Sequence, residues 1–341
     1  TGAAIAAAEV WLVNDAFGHS NLLITGPNYQ AVETIYQDLL PLLAAQGPNA
    51  CRVRWINRPT ASGPIEETLD YENLGPKDLE PLHNALADKG MPTVVFAVVH
   101  QLFALSGLPD KYQTKKSSTP RLGRFDLVLI DEASQVDMAY ACGALVHLAP
   151  TGRLVLLGDR LQMPPITPVE PPRGVEFIVG SVLDYYQGRF PDLAEKPLLT
   201  NYRSSEALVA FARELGYPAE LGSAYRDTAL VLTGTDDMPA DWPADLPWSP
   251  LFTALLAPER ATMAVTYPDG KSGQANDFEA TLVAATVALA RRRVLAGLAG
   301  RGDPPTALAD AARFWTQSIG IVTPHRAQRS AIVRKLRHLF P

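Results

Sequence analysis

Two adjacent carboxylates, Asp131 and Glu132, follow a run of mostly branched aliphatic residues, Phe125–Ile130. Such a run is typical of a strand buried on both faces of a parallel sheet, so the sequence predicts both acids at a strand end. An Asp there can hold Mg²⁺ against nucleotide phosphates, and a neighbouring carboxylate can orient or deprotonate the attacking water. The alternative for a bare Asp-Glu pair is a solvated strand end, because chance matches to so short a pattern are frequent.

A second apolar run, Arg153–Leu157, ends at Gly158 and Asp159. Between the two runs, Val136–Leu148 has the length and apolar spacing of a crossover helix. The sequence therefore predicts a β-α-β unit whose two acidic ends lie on the same edge of the sheet. Ligands bind at that edge in open α/β folds.

The composition allows a large globular chain. With 341 residues, of which 47% are hydrophobic, it is long enough for two domains, each able to bury a core. The formal net charge of −6 argues mildly against a general nucleic-acid coat protein, because a basic face is expected there, but it permits a local nucleic-acid groove.

Compartment and membrane context follow from the cysteines and the apolar stretches. Cys51 and Cys142 lack metal-ligand spacing and fall in segments predicted to be buried, which indicates a reducing compartment and a cytoplasmic location. No stretch approaches the roughly 18 uninterrupted apolar residues of a membrane span, so no membrane partner is expected. The apolar N-terminus lacks a basic leader and is interpreted as a helix inside a larger protein.

The segments around these acids carry a family resemblance. Residues 131–135 read DEASQ and residues 158–165 read GDRLQMPP, and they resemble motifs II and III of superfamily-1 helicases. The closest likeness is to the 5′→3′ branch that contains the nonsense-mediated-decay RNA helicase and related DNA helicases. The resemblance implies ATP and Mg²⁺ as cofactors, with Asp131 on the metal, Glu132 on the water and Gln162 as the sensor of the γ-phosphate. It also places Gly158 and Asp159 at the nucleotide.

A third segment, residues 198–204, reads LLTNYRS and resembles the start of the second motor domain of the same family. The resemblance implies that Arg203 reaches the γ-phosphate as an arginine finger and that Tyr202 stacks on the adenine. A planar guanidinium suits charge that develops on phosphate oxygens. The alternative for Arg203 is a surface ion pair.

The phosphate-binding loop of this family, G-x-x-x-x-G-K-[ST], is not found in the printed sequence. Thr1 precedes an Ala-rich helical segment, and the resemblance implies that it is the last residue of such a loop, with its hydroxyl on Mg²⁺. Gly270-Lys271-Ser272 spells the end of the pattern, but Val265 stands where its first glycine is required. These 341 residues alone are therefore expected to hydrolyse ATP poorly.

Further segments resemble the parts of the family that contact a nucleic-acid strand. They are residues 22–35 (LLITGPNYQAVETI), 94–103 (VVFAVVHQLF) and 318–332 (SIGIVTPHRAQRSAI). The residues implied in strand contact are Pro27, Asn28, His100, Thr323, Pro324 and Gln328. The alternatives are an ordinary β-α turn, a structural histidine and a plain helix N-cap.

These segments are collinear with the family and predict a P-loop NTPase of α/β class, with two RecA-like domains built on parallel sheets flanked by helices. Residues 1–195 would form the first domain, and residues 196–341 an incomplete second domain with strands at 262–266 and 318–322. The predicted function is an ATP-dependent helicase or translocase on single-stranded DNA or RNA. The alternative is a non-catalytic helicase-like scaffold, bound to other domains or subunits of a nucleic-acid-processing or defence complex.

Overall fold

The structure is a computed structural model that describes residues 2–13, 20–47, 50–88, 90–106, 122–166, 170, 172–174, 178–226, 232, 234–235, 237–257, 262–268, 273–299 and 312–340. Thr1 and the Gly270–Ser272 segment lie outside these ranges. The chain divides into two compact units, residues 1–196 and residues 197–341. No helix in the described ranges combines the length and apolar character needed to cross a bilayer.

The first unit is built on a six-stranded sheet in which every neighbouring pair is parallel. Its strands are β1 (Leu22–Gly26), β2 (Arg52–Ile56), β3 (Asp70–Leu74), β4 (Thr93–Val98), β5 (Phe125–Ile130) and β6 (Leu148–Leu156), in the spatial order β3-β2-β4-β1-β5-β6. Because all six run the same way, their carboxyl ends meet at one edge of the sheet. The mixed α/β class with a parallel sheet flanked by helices is confirmed.

Helices cover both faces of this sheet. They are α1 (Gly2–Val13), α2 (Tyr29–Ala45), α3 (Glu80–Ala87), α4 (Leu102–Leu105), α5 (Met138–Leu145) and α6 (Val182–Arg189), with 3₁₀ turns at Glu66–Thr68, Val99–Gln101 and Ala133–Gln135. Successive strand residues point to opposite faces. Accordingly, Leu23 belongs to one apolar cluster while Leu22 and Ile24 belong to the other, so both faces of the sheet are packed.

The central strand β1 is tied to distant parts of the chain by Asn21. Its backbone N–H donates to the Asp126 carboxylate over 2.9 Å, and its side-chain amide donates to the carbonyls of Leu86 and Arg124 over 3.0 and 3.1 Å. These bonds fix the start of β1 against the start of β5. The carboxyl ends of the two strands are aligned as a result.

The second unit contains a two-stranded parallel sheet, β7 (Thr200–Ser205) and β8 (Gly222–Tyr225). Its helices are α7 (Glu206–Glu214), α8 (Pro250–Leu255), α9 (Asp277–Ala299) and α10 (Arg326–Leu339), with a π-helical turn at Phe314–Ser318. Trp242, Trp248 and Phe252 pack with apolar residues of α9 to form its main core.

The predictions of two strands in this unit are wrong. Residues 262–266 are irregular, Ser318 ends the π-helical turn and residues 319–322 are irregular. Both segments have the apolar, β-branched composition of strands. A strand, however, requires a hydrogen-bonded neighbour, and the described part of this sheet stops at β7 and β8.

One helix boundary also differs from expectation. The crossover helix is shorter than predicted, Met138–Leu145, because β6 already begins at Leu148. The helix after β7 has Ser205 at its N-cap. Helix α9 continues to Ala299, and the guanidinium of Arg293 within it is buried and donates to the Thr235 carbonyl over 3.1 Å.

The two cysteines differ in their burial. Cys51 is buried, as expected, and burial raises its pKa to about 11. Cys142 is exposed, contrary to expectation. The eight-residue helix α5 turns this side chain outward while Ala141 and Ala144 face the core.

Candidate functional site

Asp131 and Glu132 leave β5 at the carboxyl edge of the sheet. Asp131 is only 7% exposed, and its backbone N–H donates to the Thr25 carbonyl of β1 over 2.9 Å. Glu132 adopts left-handed backbone angles, φ 51° and ψ 39°, which are unfavourable for a residue with a side chain. Its carboxylate accepts a hydrogen bond from the Gln135 amide over 3.0 Å. The reversal at Glu132 turns the chain sharply and leaves the two carboxylates at the sheet edge.

The turn after β6 is fastened to the turn after β5. The backbone N–H of Ala133 donates to the Leu157 carbonyl over 2.7 Å, and that of Asp159 donates to the Ser134 hydroxyl over 3.3 Å. At Gly158 a Cβ would stand 2.8 Å from the Ser134 nitrogen. Glycine is therefore required for this close approach. The two acidic strand ends are brought together, as the β-α-β pattern predicts.

Gln162 is held beside Asp159 by a compact turn. Its side-chain amide donates to the Asp159 carboxylate over 3.1 Å, and its backbone N–H donates to the Asp159 carbonyl over 3.2 Å. The side chain of Gln162 is exposed at this edge. An exposed amide can both donate and accept, which is the chemistry required to sense a phosphate oxygen.

The carboxylates suit a magnesium ion that is completed by a substrate. Within the described ranges, no three Asp, Glu, His or Cys side chains converge to form a full metal site. Mg²⁺ commonly takes one or two carboxylates from the protein and further oxygens from phosphates and water. The buried Asp131, whose oxygens are hard ligands at a sheet edge, fits that mode of binding.

A polar network that the sequence reasoning missed joins the carboxyl ends of three other strands. The Tyr29 hydroxyl accepts a hydrogen bond from the Gln101 amide over 2.6 Å and from the Asn57 amide over 3.2 Å. His100 is exposed, and its ring meets the Tyr29 ring edge to face, with centroids 6.5 Å apart. Asn28 accepts from the Ala31 N–H over 3.0 Å as the N-cap of α2.

The predicted strand-contact residues of the first unit, Pro27, Asn28 and His100, therefore lie together at this edge. Asn28 has the capping role that an ordinary β-α turn gives it, and it is exposed as well. Their contact with a nucleic-acid strand stays a prediction. The sequence reasoning missed Tyr29 and Gln101, although each stands directly after a candidate residue, Asn28 or His100, near a strand end.

Below this edge lies a buried ionic cluster centred on Arg58. Its guanidinium donates to Glu33 over 2.7 Å and to Glu66 over 2.8 Å, and stands 4.4 Å from the centre of the Tyr36 ring. Burial alone would raise the pKa of both carboxyls, but the hydrogen bonds from Arg58 outweigh it and lower the pKa of each. The cluster links α2 to the segment after β2 and thereby supports Asn57.

In the second unit, Tyr202 and Arg203 lie on β7 and face solvent. Tyr202 is 72% exposed. The Asn201 side-chain oxygen accepts from the backbone N–H groups of Arg203 and Ser204, each over 2.8 Å, and this fixes the local backbone. Among the described residues Arg203 makes no ion pair, so its guanidinium is available to a ligand.

The predicted strand-contact residues around the start of α10 differ in their exposure. The hydroxyl of Thr323 is buried and has no hydrogen-bond partner among the described residues, whereas Pro324 is exposed. Gln328 is 6% exposed, and its amide accepts from the Asn276 N–H over 2.6 Å and donates to the Asn276 carbonyl over 3.1 Å. In this arrangement Gln328 fastens α10 to α9, which is a structural role that the sequence did not indicate.

Comparison with known proteins indicates a helicase relationship. No protein-family model matches the sequence. Over 179 aligned residues, covering 44% of this chain, it is 30% identical to a Mus musculus protein described as a probable helicase with zinc finger domain. The alignment spans 9% of that protein. The chain is thus a distant relative of a helicase over part of its length.

Proposed function

We propose that this chain is part of an ATP-dependent nucleic-acid motor of the superfamily-1 type, in the 5′→3′ branch, which couples ATP hydrolysis to movement along single-stranded DNA or RNA. The observation that carries the proposal is the convergence of Asp131, Glu132, Asp159 and Gln162 at one carboxyl edge of a parallel sheet. The helicase relative supports it. We also propose a cytoplasmic location, on the basis of two unpaired cysteines.

Each residue of this edge has a role suited to its setting. Asp131 would bind Mg²⁺, which neutralises charge on the ATP phosphates when it is bound. Glu132 would take the proton of the attacking water, and the left-handed turn at Glu132 holds its carboxylate at the edge. Gln162 would donate to a phosphate oxygen from its position beside Asp159.

The remaining proposed groups complete nucleotide and strand binding. Arg203 would place its fork of N–H donors on the transferred phosphate, where such a residue stabilises the developing charge. Tyr202 would stack on the adenine. Thr1 lies outside the described residues, and its place on Mg²⁺ remains a proposal from the resemblance. Pro27, Asn28, His100, Thr323 and Pro324 would contact the strand.

The test is ATP hydrolysis by the longest natural polypeptide that contains these residues, with and without single-stranded DNA and RNA. Glu132→Gln should lower strand-stimulated turnover by about 10²-fold or more, because it removes a general base. Glu195→Gln is the matched control, since Glu195 is exposed and distant in the chain from the candidate residues. Glu132→Gln turnover within about threefold of the unaltered protein would refute the assignment.

A second variant separates the motor from the scaffold alternative. Arg203→Ala should cost about 10³-fold or more in turnover if Arg203 acts as an arginine finger. Arg189→Ala is its control, since Arg189 is an exposed arginine at the end of α6. A folded protein that binds a strand but hydrolyses no ATP, with a phosphate-binding loop present, would instead support a scaffold.

A further inference from the structure

Helix α10 presents an outer face made of arginines. All four arginines of the helix lie on the side away from its packed residues, and we call them the arginine face: Arg326, Arg329, Arg334 and Arg337. All four are exposed, while Gln328, Ala331 and Ile332 on the opposite side are buried. Packing against α9 therefore explains one side of α10 and leaves the arginine side unexplained.

These arginines are not balanced by acids. Among the described residues none of the four makes an ion pair, whereas the lysine of the helix does and its histidine lies beside an acid. Lys335 lies 3.0 Å from Asp277, and His338 lies 3.4 Å from Asp245. The helix itself contains no Asp or Glu, although the whole chain has a net charge of −6. Like charges three or four residues apart destabilise a helix, so an anionic partner would offset the repulsion between these arginines.

We propose that the arginine face binds the sugar–phosphate backbone of a single-stranded nucleic acid. The inference rests on the proposed function and extends strand contact from Thr323 and Pro324 along the exposed side of α10. Arg326 and Arg337 stand about 16 Å apart along the axis at about 1.5 Å per residue. That distance matches about five stacked nucleotides at about 3.4 Å each. Thr323, whose buried hydroxyl lacks a partner in the described ranges, immediately precedes this end of the helix.

The chemistry favours phosphate over an acidic protein partner. Every unpaired cation of the helix is an arginine, and the guanidinium fork matches phosphate geometry. Between the arginines lie Ser330 and Val333, and Val333, which is 37% exposed, is the one large apolar side chain among them. Protein interfaces instead concentrate aromatic and apolar side chains at their centre.

The test is equilibrium binding of a fluorescent 20-nucleotide oligo(dT) or oligo(rU), measured by anisotropy across a range of salt concentrations. Each phosphate contact contributes about 0.7 to the slope of log K against log salt for single strands. Arg329→Ala/Arg337→Ala should therefore lower the slope by about 1.4 and weaken binding about 25-fold at 0.1 M salt. Arg173→Ala/Arg189→Ala, which removes two exposed arginines of the first unit, should leave the slope unchanged.

Two further variants protect the test against a folding defect. Arg329→Lys/Arg337→Lys keeps both charges and should retain the slope, and Arg326→Ala/Arg334→Ala should reproduce the loss at the other two positions. Circular dichroism and thermal melting verify that each variant is folded before its binding is compared.

The outcomes separate the two proposals. If the unaltered chain binds a strand and both alanine pairs bind it equally well with the same slope, the inference is wrong and the proposed function stands. If the unaltered chain binds neither DNA nor RNA, both fail. If the arginine face is needed to bind poly-L-glutamate but not a strand, it is an acidic-protein surface and the inference is overturned.

Discussion

The left-handed backbone at Glu132 predicts that asparagine at this position makes the protein more stable. Left-handed angles cost a residue with a Cβ about 1–2 kcal/mol, and asparagine tolerates them best after glycine. Glu132→Asn also loses the partly exposed hydrogen bond from Gln135, which is worth about 0.5 kcal/mol. The expected net gain in the free energy of unfolding is about 0.5–1 kcal/mol. Glu132→Gln keeps both the strain and an acceptor oxygen and should change it by less than about 0.5 kcal/mol.

Urea unfolding followed by circular dichroism measures this difference, with thermal melting as a second readout. In a unit of this size, 1 kcal/mol shifts the melting temperature by about 2–4 °C. Asn57 provides the reverse experiment, because it is an asparagine that already has a positive φ of 54°. Asn57→Gln should lose about 1–2 kcal/mol, through new backbone strain and the loss of its bond to Tyr29.

If the Glu132→Asn protein is no more stable than the Glu132→Gln protein, the strain argument is refuted. If the gain is found, the natural residue is retained at a cost in stability, which is typical of functional positions. The hydrolysis assay then distinguishes the reason for its retention, because both variants remove the carboxylate while only one of them relieves the backbone.

Three further predictions concern packing, burial and charge. Gly158→Ala should lower the free energy of unfolding by about 1–3 kcal/mol in a thermal melt, because its Cβ would collide with a backbone nitrogen. Arg58→Met should cost about 3–5 kcal/mol near pH 7, and the deficit should shrink in acid titrations as the pH falls through the lowered folded pKa of Glu33 and Glu66, below which both carboxyls are neutral in both proteins. In the native protein only Cys142 should react rapidly with Ellman's reagent, because the other thiol is buried with its pKa raised to about 11.

The sign of the Arg58 prediction follows from the direction of the two pKa shifts. In the native protein Arg58 lowers the pKa of Glu33 and of Glu66, so their contribution to stability is present above the unfolded pKa and is lost as the pH falls through the folded pKa. Without Arg58 the same carboxyls would be charged and unpaired near neutrality. Equal stability of Arg58→Met and the unaltered protein at pH 7 would contradict this account.

The sequence predicted the first sheet where its strands are buried on both faces. Phe125–Ile130 is a mostly apolar run, and it is a strand with those bounds. The start of β6 was missed because Leu148–Gly152 carries proline and glycine and pairs only irregularly with β5. In the second unit, the segments at 262–266 and 318–322 have strand composition, but composition does not supply a pairing partner.

The candidate site was predictable only where chemistry follows directly from position along the chain. Asp131, Glu132 and Asp159 end strands, and parallel strands end at a common edge. The bonds of Tyr29 to Asn57 and Gln101 join residues 28 and 72 positions apart, so no local pattern indicates them. The buried role of Gln328 was missed for the same reason, since Asn276 lies 52 positions away.

The hydrogen bonds of Asn21 have a consequence for folding during synthesis on the ribosome. They join the start of β1 to residues that lie 65, 103 and 105 positions later in the chain. A ribosome that adds about 5–20 residues per second would release β1 about 5–20 seconds before its neighbour β5. Throughout that interval the apolar central strand lacks β5, and until β4 has emerged it lacks both of its sheet neighbours. Nascent chains halted before β5 should therefore be captured by chaperones, and release should follow once β5 has emerged.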